Sequence, residues 1–127
     1  MQERKMTHRE RIKAAVNHRE PDRVPIDNGG VVSGMHEIAY RNLLNYLGIT
    51  DKIVIYDAVQ RLARVKDEVL DLLGVDTRYL YANPPSFWKF EENQDGSWVD
   101  EFGTGYERSE YYCDCLLYTT PSPRDLS

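Results

Sequence analysis

The chain has 127 residues, 41% of them hydrophobic and 29% charged, with a formal net charge of −5. That length allows one domain with a modest core, and the acidic balance argues against a nucleic-acid or anionic-membrane partner. No run approaches the ~20 apolar residues of a membrane span, and "MQERKMTHRERIK" lacks the apolar centre of a secretory signal.

From the N-terminus, Thr7 followed by Glu10 forms a capping box, in which each side chain reaches the other's backbone N–H. Ile12, Ala15 and Val16 share a helical face, and Pro21 requires the helix to stop before it. Val24-Pro25-Ile26 predicts a short strand over residues 24–27 with Asp27 at its C-terminal end. Gly29 and Gly30 then allow a turn that a Cβ would obstruct.

A second helix is predicted over residues 35–47. Ala39, Leu43, Tyr46 and Leu47 form its stripe, Glu37 stands four before Arg41, and Gly48 suits the left-handed C′ position. A third helix is predicted to end at Leu73, because Ala58, Leu62, Val65, Val69 and Leu72 recur at four- and three-residue steps. Asp57 would cap it with Gln60 at the third position, although "KIVIYD" also reads as a strand or a lead-in loop. Residues 75–81 predict a second strand, closed by Asn83-Pro84-Pro85.

Beyond this point the pattern changes. Phe87, Trp88 and Phe90 lead into Asp95-Gly96, a type I′ hairpin signal. Residues 97–102 would return, Gly103 and Gly105 would turn again, and residues 106–112 would add a third antiparallel strand. Helix, strand, helix, helix, strand and hairpin in that order predict an α/β chain built on βα units and a parallel sheet. Two such units leave a sheet edge without a neighbour, so the expectation is the N-terminal part of something larger. "CLLYTTPSPRDLS" has neither helical nor strand period, and residues 115–127 read as a non-native or disordered tail after a 1–114 domain.

"MTHRERIKAAVNHREPDRVPIDNGG" resembles the N-terminus of the uroporphyrinogen decarboxylase family, most closely its branch of corrinoid-dependent methyltransferases. "LLNYLGI", "LLGVDTRYL" and "WVDEFGTGYER" extend the resemblance over about residues 6–110. The resemblance implies the N-terminal portion of a (β/α)8 TIM barrel with an inserted β-hairpin, in a cytoplasmic enzyme much longer than this chain. In such barrels the active site lies at the C-terminal ends of the strands. The implied small-molecule site residues at the mouth are Asp27, Asn28, Gly29, Gly30 and Asn83, with Tyr81 and the prolines nearby. Asp27 reads equally as a turn carboxylate that accepts backbone N–H bonds.

Decarboxylases of the family place two arginines after the first strand to meet substrate carboxylates. The overlay puts those positions near Gly30 and Gly34, and puts the aspartate that faces pyrrole nitrogens near Asn83. These departures favour a corrinoid-linked methyltransferase acting on a small thiol or related acceptor over decarboxylation in porphyrin biosynthesis. For the full-length parent the resemblance implies zinc, a corrinoid cofactor and a corrinoid protein partner. The zinc would be held by a His-x-Cys pair and a later Cys in the C-terminal half and would make the thiol nucleophilic. This stretch is expected to bind no cofactor itself, and Cys113-Asp114-Cys115, without a nearby histidine, is not that site. With only these two cysteines there is no disulfide framework, and a reducing compartment fits.

Elsewhere the plainer readings prevail. His8, His18 and His36 read as helix-surface residues, Asp76 and Arg78 as a structural pair, and Trp88, Trp98 and Phe102 as hairpin packing. A small non-catalytic α+β binding module is the alternative from another functional class.

Overall fold

The structure, a computed structural model, describes residues 5–115. The tail expectation for 115–127 therefore falls, but for Cys115, outside the described residues. The chain divides into two units, residues 1–54 with 63–80 and residues 55–62 with 81–127.

The first unit opens with α1, His8–Val16, which starts as predicted. Thr7 Oγ1 accepts from the Glu10 N–H at 3.3 Å, and Glu10 Oε2 accepts from the Thr7 N–H at 3.0 Å. The helix ends at Val16, ahead of Pro21, but its buried residue is Arg11, while Val16 is exposed. A short strand β1, Met35–His36, leads directly into α2, Glu37–Leu47. His36 is not a plain surface residue, because its ring accepts from the Ile38 N–H as the N-cap. The Glu37–Arg41 pair forms at 3.8 Å and Gly48 takes the left-handed cap. The buried stripe is Tyr40 and Leu44, whereas Tyr46 of the predicted stripe is exposed. The choice follows the Tyr40 hydroxyl, which accepts from the Lys66 backbone N–H at 3.2 Å and so supplies the N-terminus of the next helix with a partner.

That next helix, α3, Asp67–Leu72, is much shorter than the predicted one. Its expected first half is instead β2, Ile55–Asp57, a turn, and β3, Leu62–Ala63. The β-branched and aromatic run Ile53–Tyr56 favours extended backbone, and Arg61 adopts a positive φ of 56° to close the turn. Asp57 and Gln60 do pair as predicted, with the Gln60 N–H donating to Asp57 at 2.8 Å, but within this turn. Leu62, Val65 and Val69 are buried all the same, since a hydrophobic spacing constrains burial more tightly than it constrains backbone type. The core of this unit is Tyr40, Leu44, Ala63, Val65, Val69, Leu70 and Val75.

The segments predicted as strands at 24–27 and 75–81 do not form strands. They nevertheless run side by side in the same direction. Arg23 Nη2 donates to Gly74 O at 2.8 Å, and the Asp76 N–H donates to Ile26 O at 2.8 Å. The Asp27 carboxylate then reaches Thr77 and Tyr79.

In the second unit, β4, Trp98–Val99, β5, Gly105–Arg108, and β6, Cys113–Cys115, form an antiparallel meander in which Trp98 pairs with Tyr106 and Arg108 with Cys113. The strands are shorter than predicted. At the Asp95-Gly96 hairpin only Gly96 has positive φ, 83°, and its N–H donates to Asn93 O at 3.0 Å. That is a type I turn closed by a left-handed glycine rather than the predicted type I′. The Asp95 carboxylate accepts from the Ser97 N–H and hydroxyl, which favours this turn. Trp98 is 4% exposed, stacked on Tyr106 at 4.5 Å and tilted against Phe90 at 5.2 Å, so Trp98 packs the hairpin as expected. Phe102 is exposed.

Among the described residues, then, the protein is mixed α/β with two three-stranded sheets, β1-β3-β2 and β4-β5-β6. Both are antiparallel, in place of the predicted parallel sheet, and no barrel closes within this span. No helix among the described residues is long and apolar enough to cross a membrane.

Candidate functional site

Two polar clusters flank the paired segments of the first unit, one buried and one open. The buried one centres on Asp76, whose side chain is fully inaccessible. Its carboxylate accepts from the Ile26 N–H at 2.9 Å, Arg11 Nη1 at 2.5 Å, Arg23 Nη1 at 2.7 Å and Arg23 Nη2 at 3.0 Å. His8 Nδ1 lies 2.7 Å from it. Arg11 continues to Asp22 at 2.6 and 2.9 Å, and gives its remaining contact to Met6 O. Burial opposes the Asp76 charge, but the Ile26 amide, His8 and the two guanidiniums together hold its carboxyl well below the ordinary range. Asp22 is lowered to about 2, chiefly by the Arg11 hydrogen bond.

This arrangement corrects two expectations. Asp76 pairs with residues of the N-terminal motif and not with Arg78, which instead meets Asp67 at 3.2 Å and Asp71. His8 is more than surface, since it closes one side of the Asp76 cluster. Arg11, Asp22 and Arg23 escaped the sequence reading. The signal available was the conjunction of Arg11 in a capped helix with an Asp-Arg pair just after its proline stop.

The open cluster is built on Asp27, at the C-terminal end of residues 24–27. Its carboxylate accepts from Ser33 Oγ at 2.6 Å, from the Tyr79 hydroxyl at 2.8 Å and from the Thr77 hydroxyl. Thr77 and Tyr79 are two residues apart, and both hydroxyls reach the same carboxylate. Burial pushes the Asp27 carboxyl up, and the Ser33, Thr77 and Tyr79 hydroxyls outweigh it and hold it below its ordinary range. A carboxylate so stabilised is a poor base at neutral pH. Its chemistry is to stay anionic and to orient three hydroxyls, of which Ser33 Oγ also accepts from the Gly30 N–H at 3.3 Å, while the Thr77 and Tyr79 oxygens keep acceptor lone pairs for a ligand.

The Gly29-Gly30 turn positions Ser33. The Gly29 N–H donates to Ser33 O at 3.1 Å, the Ser33 N–H to Gly30 O at 3.3 Å, and Gly29 has φ 111°. A Cβ on Gly30 would overlap the Tyr79 ring. The close approach that this glycine permits is thus filled by Tyr79, where the sequence suggested a ligand. Asn28 Oδ1 is buried with no hydrogen-bond partner among the described residues.

Of the five predicted site residues, Asp27, Asn28, Gly29 and Gly30 come together in one turn, joined by Ser33, Thr77 and Tyr79. Asn83 belongs to the second unit and is exposed, and Tyr81 there packs on Tyr56 at 4.7 Å. Among the described residues no group of three His, Cys, Asp or Glu side chains could hold a metal ion. Cys113 is buried, with its thiol 3.6 Å from Ala58 O. Comparison with protein-family profiles, with characterised proteins and with solved structures found no match for the chain.

The carboxyls of Asp22, Asp27 and Asp76 all lie below their unfolded values, so the stability they contribute is present above the ordinary carboxylate range and is lost as pH falls through their folded values. The urea midpoint should be level from pH 7 to about 5 and fall steeply below about pH 4. A midpoint that rises on acidification would remove the clusters from the account of stability.

Proposed function

We propose that this chain supplies the opening βα units of a (β/α)8 barrel enzyme in the uroporphyrinogen decarboxylase superfamily, on its corrinoid-linked methyl-transfer side, acting on a small thiol or related acceptor in the cytoplasm. The observation that carries the reading is the parallel advance of residues 23–27 beside 74–79, with the open Asp27 cluster at its C-terminal end. That is where a barrel of this class presents its site. The motif behind the resemblance also has a physical role, because Arg11 and Arg23 grip Asp76 and so hold Ile26, next to Asp27, in place.

Gly30 and Gly34 stand where decarboxylases carry arginines, and the space over Gly30 is taken by Tyr79. This favours methyl transfer over tetrapyrrole decarboxylation, which needs cationic forks for several carboxylates. In the methyl-transfer reading Asp27 and its hydroxyls bind and orient the acceptor. The zinc that the resemblance implies would be held by the His-x-Cys pair and later Cys of the parent's C-terminal half.

The test is the parent reading frame, expressed with its corrinoid protein and assayed for methyl transfer to thiols and for coproporphyrinogen formation. Methyl transfer that weakens in Asp27→Asn supports the proposal. Coproporphyrinogen formation, or a reading frame with neither a His-x-Cys pair nor a later Cys, overturns it. The aromatic core of the second unit favours a second reading, a non-catalytic module. Cooperative unfolding of monomeric 1–127 would support that alternative.

A further inference from the structure

We propose that the second unit carries a docking surface for a basic, arginine-bearing segment of another polypeptide; the inference does not depend on the barrel reading. Charge is the first argument. Residues 81–115 hold eight Asp and Glu against Lys89 and Arg108, a net −6 in a chain whose total is −5. Arg108 is already engaged by Glu92 at 3.3 Å. A unit so charged repels nucleic acid and anionic lipid and attracts cations.

Aromatic exposure is the second argument. Phe87 is 81% and Phe90 43% exposed. Phe90 is not a loose side chain, because its ring centroid lies 5.2 Å from the buried Trp98 and 6.4 Å from Trp88. The Trp88 indole N–H in turn donates to Val99 O at 3.0 Å, which joins the segment 87–91 to the segment 98–101. Val99 is itself half exposed. Glu91 and Glu101, in these two segments, have no ion-pair or hydrogen-bond partner among the described residues. Exposed rings in the same segments as uncommitted carboxylates suit a guanidinium, which stacks on an aromatic face and forks to a carboxylate. Lysine has the charge without the planar fork.

The test titrates the full chain with fluorophore-labelled peptides of alternating glycine with arginine, lysine or glutamate, read by anisotropy. Saturable binding of the arginine peptide is expected, weaker binding of the lysine peptide, none of the glutamate peptide, and loss of affinity with added salt. The double variants Phe87→Ser/Phe90→Ser and Glu91→Gln/Glu101→Gln should each weaken the arginine peptide about tenfold. Near-ultraviolet dichroism of the Trp98–Tyr106 stack checks that the variants remain folded. Equal binding of the arginine and lysine peptides, affinity unmoved by either double variant, or self-association of the chain through these residues would each overturn the proposal.

Discussion

Asp76→Ala lowers the stability of the first unit by about 3 kcal/mol or more, whereas Asp71→Asn, which removes an exposed partner of Arg78, costs less than about 0.5 kcal/mol. Both lose a carboxylate that meets an arginine, and the difference is burial. The Asp76 side chain is fully inaccessible and Asp71 is largely exposed. Without Asp76, Arg11 and Arg23 face each other across an emptied site, and the Ile26 N–H loses its acceptor. A buried pair is a weak source of net stability, but removal of one partner leaves uncompensated charge. Urea unfolding of both variants at pH 7 measures the contrast. If Asp76→Ala unfolds no earlier than Asp71→Asn, the cluster is not what holds the paired segments.

Trp98→Ala costs the second unit about 3–5 kcal/mol, while Trp98→Phe costs less than about 1.5 kcal/mol. Alanine forfeits the stack on Tyr106 and the contact with Phe90, and leaves a cavity among short strands with few other buried groups. Phenylalanine keeps most of the apolar area and removes a buried indole N–H that has no acceptor among the described residues. With two tryptophans in the chain, either variant leaves Trp88 as the only one, and its fluorescence in urea follows the unit directly. Equal losses in the two variants would show that the indole itself, and not the apolar volume, holds the meander.

The start of α1 and the end of α2 were legible because they are local. Thr7 and Glu10 are three residues apart and satisfy each other within one turn, and Gly48 needs only its own backbone to take the left-handed cap. The Asp95-Gly96 hairpin was legible as a turn but not as a turn type, since the Asp95 bond to Ser97 selects the geometry. Periodicity misled at residues 58–66, where a three- and four-residue spacing buries Leu62 in a strand and Val65 in the segment that follows it. At the candidate site, Asp27 and the two glycines stood out from their order along the chain. Ser33, Thr77 and Tyr79 did not, because a hydroxyl is ordinary until something brings a carboxylate to it.

By itself, then, the sequence determined where α1 begins and where α2 ends, that the hairpin turns at Asp95-Gly96, and that a carboxylate followed by two glycines closes residues 24–27. These outcomes rest on contacts within a few residues. Only the tertiary structure decided which charges are buried, because Arg11 and Asp76 are 65 residues apart and Asp27 and Tyr79 are 52 apart. A charge reads as surface until a partner from a distant segment offsets its loss of water, and spacing along the chain carries no record of that meeting.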